Sequence, residues 1–306
     1  MRGENMADPS TSQTPFKLED LPPPAWRGFK PRVGDVCGGF RLISCLKDGD
    51  QGLVFTGVHE VTRRRAVLKF PIHEAVWNGI ASASLEAMLL AQLRIPEVVR
   101  VLHAGRYHGL PYLVLEAIEG ETLDDRLVRE GRLSARTASR LLRESAMALS
   151  AVHARGILHG DVKPANLMIP LDGPVRVIDF GLARFEGARG TPFGTDIVVG
   201  SPLYMSPEHA TNRRLTPASD IYSLGASFYH ALTGSPPFTG EDPDVLARRH
   251  LEQAAVPIRR IDATVPEGLA RIVEGMLRKR PEDRPRSMAE VAAAVAAWEH
   301  DDRHAA

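Results

Sequence analysis

Within Leu158-His159-Gly160-Asp161-Val162-Lys163-Pro164-Ala165-Asn166-Leu167-Met168-Ile169, a carboxylate, an ammonium and an amide fall inside six residues, and a second carboxylate follows in Asp179-Phe180-Gly181. Carboxylate and amide oxygens suit a hard cation such as magnesium, and a carboxylate can orient an attacking hydroxyl. Both are requirements of phosphoryl transfer from ATP. The spacing Asp161-x-Lys163-x-x-Asn166 cannot be one face of a helix, because Pro164 lacks an amide donor and disfavours helix at Lys163. A loop is predicted. The apolar tail from Asn166 to Ile169 and the run from Val175 to Ile178 read as two short strands joined by a turn around Asp172-Gly173-Pro174. That hairpin would bring Asn166 and Asp179 together. Taken by itself, Asp179-Phe180-Gly181 fits an acidic surface loop about as well.

The cluster as a whole resembles the catalytic loop and metal-binding motif of the eukaryotic-type, or Hanks-type, protein kinases. The resemblance implies that Asp161 is the catalytic base and that Asn166 and Asp179 are magnesium ligands. It also marks Lys163 as the residue typical of Ser/Thr rather than Tyr kinases, with Lys163 and Ser201 steadying the acceptor hydroxyl. The fold it implies is α+β and bilobal, a small β-rich N-lobe with one helix and a larger, mainly helical C-lobe.

The elements that would position these groups follow in order. Short β-rich runs are predicted over 40–46, 53–58 and 65–70, with turns at Asp48-Gly49-Asp50 and near Thr62. Lys47-Asp48-Gly49-Asp50-Gln51-Gly52-Leu53-Val54 is similar to the family's glycine-rich loop, with Gly49 and Gly52 as its second and third glycines and Lys47 in place of the first. Bare backbone there can approach phosphates. Taken alone, these residues fit an ordinary hairpin turn better than a phosphate loop. Lys69 stands fifteen residues after Val54, in the register of the family's phosphate-anchoring lysine, and Glu86 opens an amphipathic helix with Leu85, Leu89, Leu90 and Leu93. By resemblance Glu86 is the partner of Lys69. Val67 occupies a position where the family usually has Ala, and it would thicken the roof of the adenine slot. Strands are predicted over 98–102 and 112–115. By resemblance the second leads into a hinge, with Leu115 as gatekeeper, the backbone of Glu116 and Ile118 against the adenine edge, and Val54 and Met168 also contacting the nucleotide.

Farther on, Ser134 is predicted to cap a helix over 135–153 that buries Ala138, Leu141, Leu142, Leu149 and Val152 and ends before Gly156. The stretch from Gly200 to Glu208 resembles the end of the family's activation segment, with Ser206 replacing its Ala. Asp220 matches the residue that braces the catalytic loop, Arg284 the partner of Glu208, and Ser287 with Glu290 the capping box of a last helix. His159 is expected to be a packed core residue. The similarity covers about residues 36–299 and implies ATP and Mg2+ as cofactors and a protein bearing Ser or Thr as substrate.

Composition sets outer bounds. In 306 residues, 38 basic and 38 acidic side chains cancel, so no strong field points to nucleic acid or an anionic membrane. Of the 38 basic residues only six are Lys, which makes Lys69 and Lys163 stand out in an Arg-rich chain. Cys37 and Cys45 lack the spacing of a zinc site or a disulfide framework, and no run approaches the length of a membrane span. A cytoplasmic setting is expected. Residues 1–32 are expected to be a disordered or loosely packed leader, or a strap on the small lobe with Trp26 as anchor. The N-lobe is assigned to 33–117, the C-lobe to 118–300 and a tail to 301–306. One departure stands out: Gly160 replaces the Arg of the family's His-Arg-Asp, the residue that normally receives an activation-loop phosphate. Activity is therefore expected not to require phosphorylation of Thr191 or Thr195. Lys47, Val67 and Gly160 also leave open an alternative, a nucleotide-binding pseudokinase that acts as a scaffold.

Overall fold

The computed structural model describes residues 29–49, 52–70, 86–188, 201–211 and 213–305. Expectations for Trp26, Asp50, Leu85, Thr191, Thr195 and Gly200 lie outside the described residues.

Strand β4 (Arg65–Phe70) shows why the small lobe forms a sheet with a working face. Its side chains alternate, so Ala66, Leu68 and Phe70 are buried while Val67 and Lys69 face the other way. The neighbouring β3 (Gly52–His59) does the same, burying Leu53 and Phe55 and turning Val54 and Thr56 outward. With β1 (Val36–Cys37), β2 (Phe40–Gly49), β5 (Val101–Tyr107) and β6 (Leu110–Glu116) they form one antiparallel sheet in the order β1-β2-β3-β4-β6-β5. Its buried face carries Cys37, Phe40, Leu42, Leu53, Phe55, Leu68, Phe70, Tyr112 and Val114 as one cluster. Phe70 meets Phe55 edge-on at 5.9 Å and Tyr112 at 5.5 Å. Burial pushes the Cys37 thiol up to about 12, helped by Asp35, so it sits there as a neutral apolar group. Leu89 and Leu90 of helix α1 (86–92), and Leu93 just after it, are buried in the core cluster that runs through Leu113 and Leu115 into the large lobe.

The large lobe begins with β7 (Gly120–Thr122) and α2 (Leu123–Glu130), where Thr122 and Asp125 form a reciprocal capping box. Helix α3 (Ala135–His153) has the predicted bounds, with Ser134 Oγ accepting from Thr137 N at 3.2 Å, and buries the five predicted side chains. It packs against α5 (Pro217–Thr233) and α9 (Met288–Ala305). Nearly every side chain of α5 is buried, which makes it the axis of the lobe. Short pairs β8 (Ile157–Leu158) with β11 (Arg184–Phe185), and β9 (Leu167–Pro170) with β10 (Arg176–Val177), hold the polar loop between them, and β9 also pairs with β7. The predicted hairpin after Asn166 is thus β9–β10. Helices α4 (Pro207–Ala210), α6 (Pro243–Glu252), α7 (Ile258–Ile261) and α8 (Glu267–Met276) complete the lobe.

Several expectations shift. The strand predicted over 98–102 begins at Val101 and runs to Tyr107, because Val98 and Val99 instead join Val177 of the large lobe, through a parallel bridge and a 3.0 Å bond to its carbonyl. Strand β2 continues through Asp48 and Gly49, with Gly49 opposite Gly52, so the turn predicted at 48–50 starts later. Small-lobe packing reaches back to Phe29, which lies against Tyr107 and His108. At the other end α9 extends into the predicted tail. Ser287 Oγ accepts from Glu290 N at 3.2 Å, but the Glu290 carboxylate reaches Arg286 N, one residue before the cap.

Candidate active site

The outward faces of β3 and β4 and the polar loop of the large lobe enclose a cavity of about 610 Å3. That volume is in the range of small-molecule sites. Lys47, Gly52, Val54, Val67, Lys69, Leu115, Glu116, Ile118, Lys163, Asn166, Met168 and Asp179 all line it. Gly49, Glu86 and Asp161 do not line it.

Lys69 reaches the cavity because strand alternation puts it on the face opposite Leu68 and Phe70. Its Nζ lies 3.0 and 2.9 Å from the two carboxylate oxygens of Glu86 and 2.6 Å from Asp179 Oδ1. Burial works against the Lys69 ammonium, but Asp179 and Glu86 reverse this and raise it above its usual value. Burial likewise opposes the Asp179 carboxylate, and Lys69, with help from Lys163, holds it well below the usual range. Glu86 is the costly member: burial raises its carboxyl and Lys69 only partly pulls it back. Asp179 itself has φ +62, a conformation seldom adopted outside glycine and tolerated here by the triad around it.

The polar loop is held from behind. Asp220, in the first turn of α5, accepts from the backbone N–H groups of His159 and Gly160, both at 2.9 Å, and bonds His153 Nε2 at 2.8 Å. Burial would raise its carboxyl, and these partners keep it low. His159 is fully buried, edge-on to Phe180 at 4.9 Å. Its Nδ1 accepts from Asp161 N at 3.2 Å, so Nε2 carries the proton, donated to Ile178 O at 3.1 Å. Both ring nitrogens are engaged, and His159 packs as predicted. Gly160 has φ +75, with room for no side chain.

Asp161 thus emerges with a fixed backbone. Its Oδ2 accepts from Lys163 Nζ at 2.5 Å and its Oδ1 from Ser201 N at 3.2 Å, while Lys163 also reaches Ser201 Oγ at 2.8 Å. Asn166 closes the single 3-10 turn Pro164–Asn166 and donates Nδ2 to Asp161 O at 2.8 Å. With the amide end committed, Oδ1 is the acceptor end. Asn166 and Asp179 therefore offer two oxygen donors, one anionic, on a shared cavity wall, a donor set that fits magnesium completed by phosphate and water oxygens.

Two arginines near the site lie outside the sequence motifs. Arg176 on β10 binds Glu116 Oε1 at 2.5 Å and Val98 O at 2.6 Å, and Glu116 Oε1 also accepts from Arg100 N at 2.6 Å. These bonds tie the end of β6 to the large lobe. Arg184, buried on β11, has its Nη2 3.5 Å from where a Cβ at residue 160 would stand, and it shares the field of Asp220. A cation therefore stands beside Gly160 after all, supplied by a different element. Neither arginine lies in a fixed-spacing motif, so only the pairing of β8 with β11 and of β9 with β10 brings them in.

Residues 40–295 match the family model of the protein kinase domain. The chain is 38% identical over 213 residues to serine/threonine-protein kinase PknB of Mycolicibacterium smegmatis, spanning 68% of this chain and 34% of that protein. It is 35% identical over 277 residues to serine/threonine-protein kinase PknA of Mycobacterium tuberculosis, covering 88% and 63%. Against a probable serine/threonine-protein kinase, CPE1738, of Clostridium perfringens, identity is 32% over 262 residues, covering 85% and 38%. The chain thus spans 34% to 63% of the length of these relatives. With a domain match over most of its length and relatives of this kind, the chain belongs to the protein kinase family, among the bacterial Hanks-type serine/threonine kinases.

Proposed function

We propose that this chain transfers the γ-phosphate of ATP to Ser or Thr hydroxyls of proteins. The observation that carries the reading is the convergence on one cavity of Lys69, held by Glu86 and Asp179, and of Lys163, which binds Asp161 and Ser201 next to the cavity wall. In this reading the sheet face with Val54 and Val67, and Met168 from below, sandwich the adenine, while Leu115 limits its depth and the backbone of Glu116 and Ile118 meets its edge. Lys47, Gly49 and Gly52 cover the phosphates and Lys69 anchors them. Asn166 and Asp179 hold Mg2+, which when bound offsets phosphate charge. Asp161 accepts a hydrogen bond from the acceptor hydroxyl and takes its proton as the oxygen bonds to the γ-phosphorus and the bond to the β-phosphate oxygen breaks. Lys163 steadies the incoming group.

The test is transfer of γ-phosphate to the chain itself and to a generic Ser/Thr protein, comparing wild type with Asp161→Asn. Transfer by wild type and a loss of at least about 100-fold in the variant is expected. Equal activity in both would sink the assignment of Asp161. We also propose that phosphorylation of Thr191 or Thr195 is dispensable, because Gly160 extends no charge toward them and Arg184 is buried near Asp220. Replacing both threonines by Ala should leave transfer within a few-fold of wild type; abolished transfer would refute this. Among the described residues no helix is long and apolar enough to cross a membrane.

A further inference from the structure

The sequence places an acid, Asp48, in the hairpin that would cover a triphosphate, where a negative charge opposes binding. Its surroundings show how that charge is met. Lys30, eighteen residues earlier, donates to both carboxylate oxygens of Asp48 at 3.0 and 2.9 Å. Lys30 can reach because the preceding residue is anchored: the Phe29 ring lies 4.6 Å from His108 and 5.5 Å from Tyr107 and packs on the small-lobe core. Arg32 N then bonds Asp35 Oδ2 at 2.9 Å, which turns the chain into β1. Asp48 does not line the cavity, but its neighbours Leu46 and Lys47 on β2 and Gly52 on β3 do. It therefore acts on the cavity through charge and not through contact.

We propose that Lys30 is a positioning residue for the nucleotide phosphates, acting by cancelling the charge of Asp48 on the hairpin above the cavity. The ion pair is exposed on both sides, 55% and 61%, so it contributes little to folding. Its consequence is electrostatic: Lys47, Asp48 and Asp50 leave the hairpin with one net negative charge by sequence, and Lys30, bound to Asp48, offsets it. The end of the leader segment thereby becomes part of the nucleotide site. This inference rests on the ATP-dependent function proposed above.

The experiment measures dissociation constants of the full chain for Mg-ATP and for adenosine, which carries no phosphate. Lys30→Ala is expected to weaken Mg-ATP about threefold and to leave adenosine unchanged, with the difference shrinking at about 0.5 M salt. Lys30→Arg should restore ATP affinity. In an Asp48→Asn background, Lys30→Ala should change ATP affinity by less than about 1.5-fold, since the carboxylate that holds Lys30 at the hairpin is gone. Wild-type ATP affinity in Lys30→Ala overturns the proposal, as does an equal loss with and without Asp48. Equal weakening of adenosine also overturns it, by assigning the effect to packing. A wild-type chain that binds neither molecule removes the nucleotide reading and this inference together, whereas ATP binding without phosphate transfer removes only the former's catalytic step.

Discussion

A side chain at residue 160 has nowhere to go. Its Cβ would stand 2.9 Å from Leu182 O, and φ is +75. Gly160→Ala should therefore cost roughly 1–3 kcal/mol in backbone strain, more where the Leu182 carbonyl cannot yield. Because Gly160 N is one of two amides that hold the loop to Asp220, next to Asp161, phosphate transfer should fall along with stability. Thermal unfolding and kcat of the variant check this, and an unchanged melting temperature would contradict it. Residue types and spacing were enough to single out Asp161, Lys163, Asn166 and Asp179, because their chemistry is written in their identities. Conformation is not so written. Nothing in His159-Gly160-Asp161 announces a positive φ at 160 or that a buried Arg184 stands beside it, since Arg184 arrives through the pairing of Arg184 with Leu158.

At the scale of elements, Arg284 and Glu208 join the start of α4 to the segment before α9. Arg284 uses all five of its donors: two to the Glu208 carboxylate at 2.8 and 3.0 Å, and the others to the carbonyls of Ala218, Lys279 and Arg278 at 2.7, 2.8 and 2.7 Å. Burial would raise the Glu208 carboxyl, and Arg284 holds it down. Arg284→Ala would strand a buried carboxylate and three part-buried carbonyls, a loss of about 3–5 kcal/mol. That corresponds to a fall in melting temperature of roughly 10 °C in a protein of this size. Arg284→Lys should recover only part of it, because one ammonium cannot match a planar five-donor fork. Full stability in Arg284→Ala would refute the pairing as a structural tie. The elements themselves were read well wherever periodicity and caps agreed: α3 matches residue for residue because Ser134 supplies a cap and its apolar positions recur at helical spacing. The reading failed at 98–102, where an apolar run that looks like a strand is recruited by Val177 of the other lobe. Local pattern carries no information about such a partner.

For the whole molecule, the two-lobe plan was legible through the resemblance of the motifs to the kinase family, with short β-rich runs before the predicted hinge and helical spacing after it. What makes the large lobe sensitive to acid was not, because it depends on burial of histidines distant from every motif. His250 on α6 is fully buried, with Nδ1 2.9 Å from Tyr222 OH and the Phe238 ring at 4.9 Å, and Lys279 Nζ lies 2.7 Å from its carbonyl. Burial, reinforced by the Lys279 charge, pushes its pKa down from 6.5 to about 4. The sign follows. Between pH 6.5 and 4 the unfolded chain binds a proton at this histidine and the folded chain does not, so stability falls as pH drops through that window, by up to about 3 kcal/mol. His230, lowered mainly by burial, adds in the same direction. The low carboxyls of Asp179, Glu208 and Asp220 extend the loss below the ordinary carboxylate range, and the raised Glu86 opposes it. Denaturant unfolding at pH 7 and pH 5 should therefore show wild type less stable at the lower pH. In His250→Phe the drop should shrink by up to about 2 kcal/mol, the span of 1.5 pH units below 6.5. The variant forfeits the Tyr222 hydrogen bond at both pH values, so only the difference between them reports the titration. An identical drop in wild type and His250→Phe would mean that His250 takes up its proton in the folded state as readily as in the unfolded one, and acid sensitivity would then pass to His230 and the carboxylates.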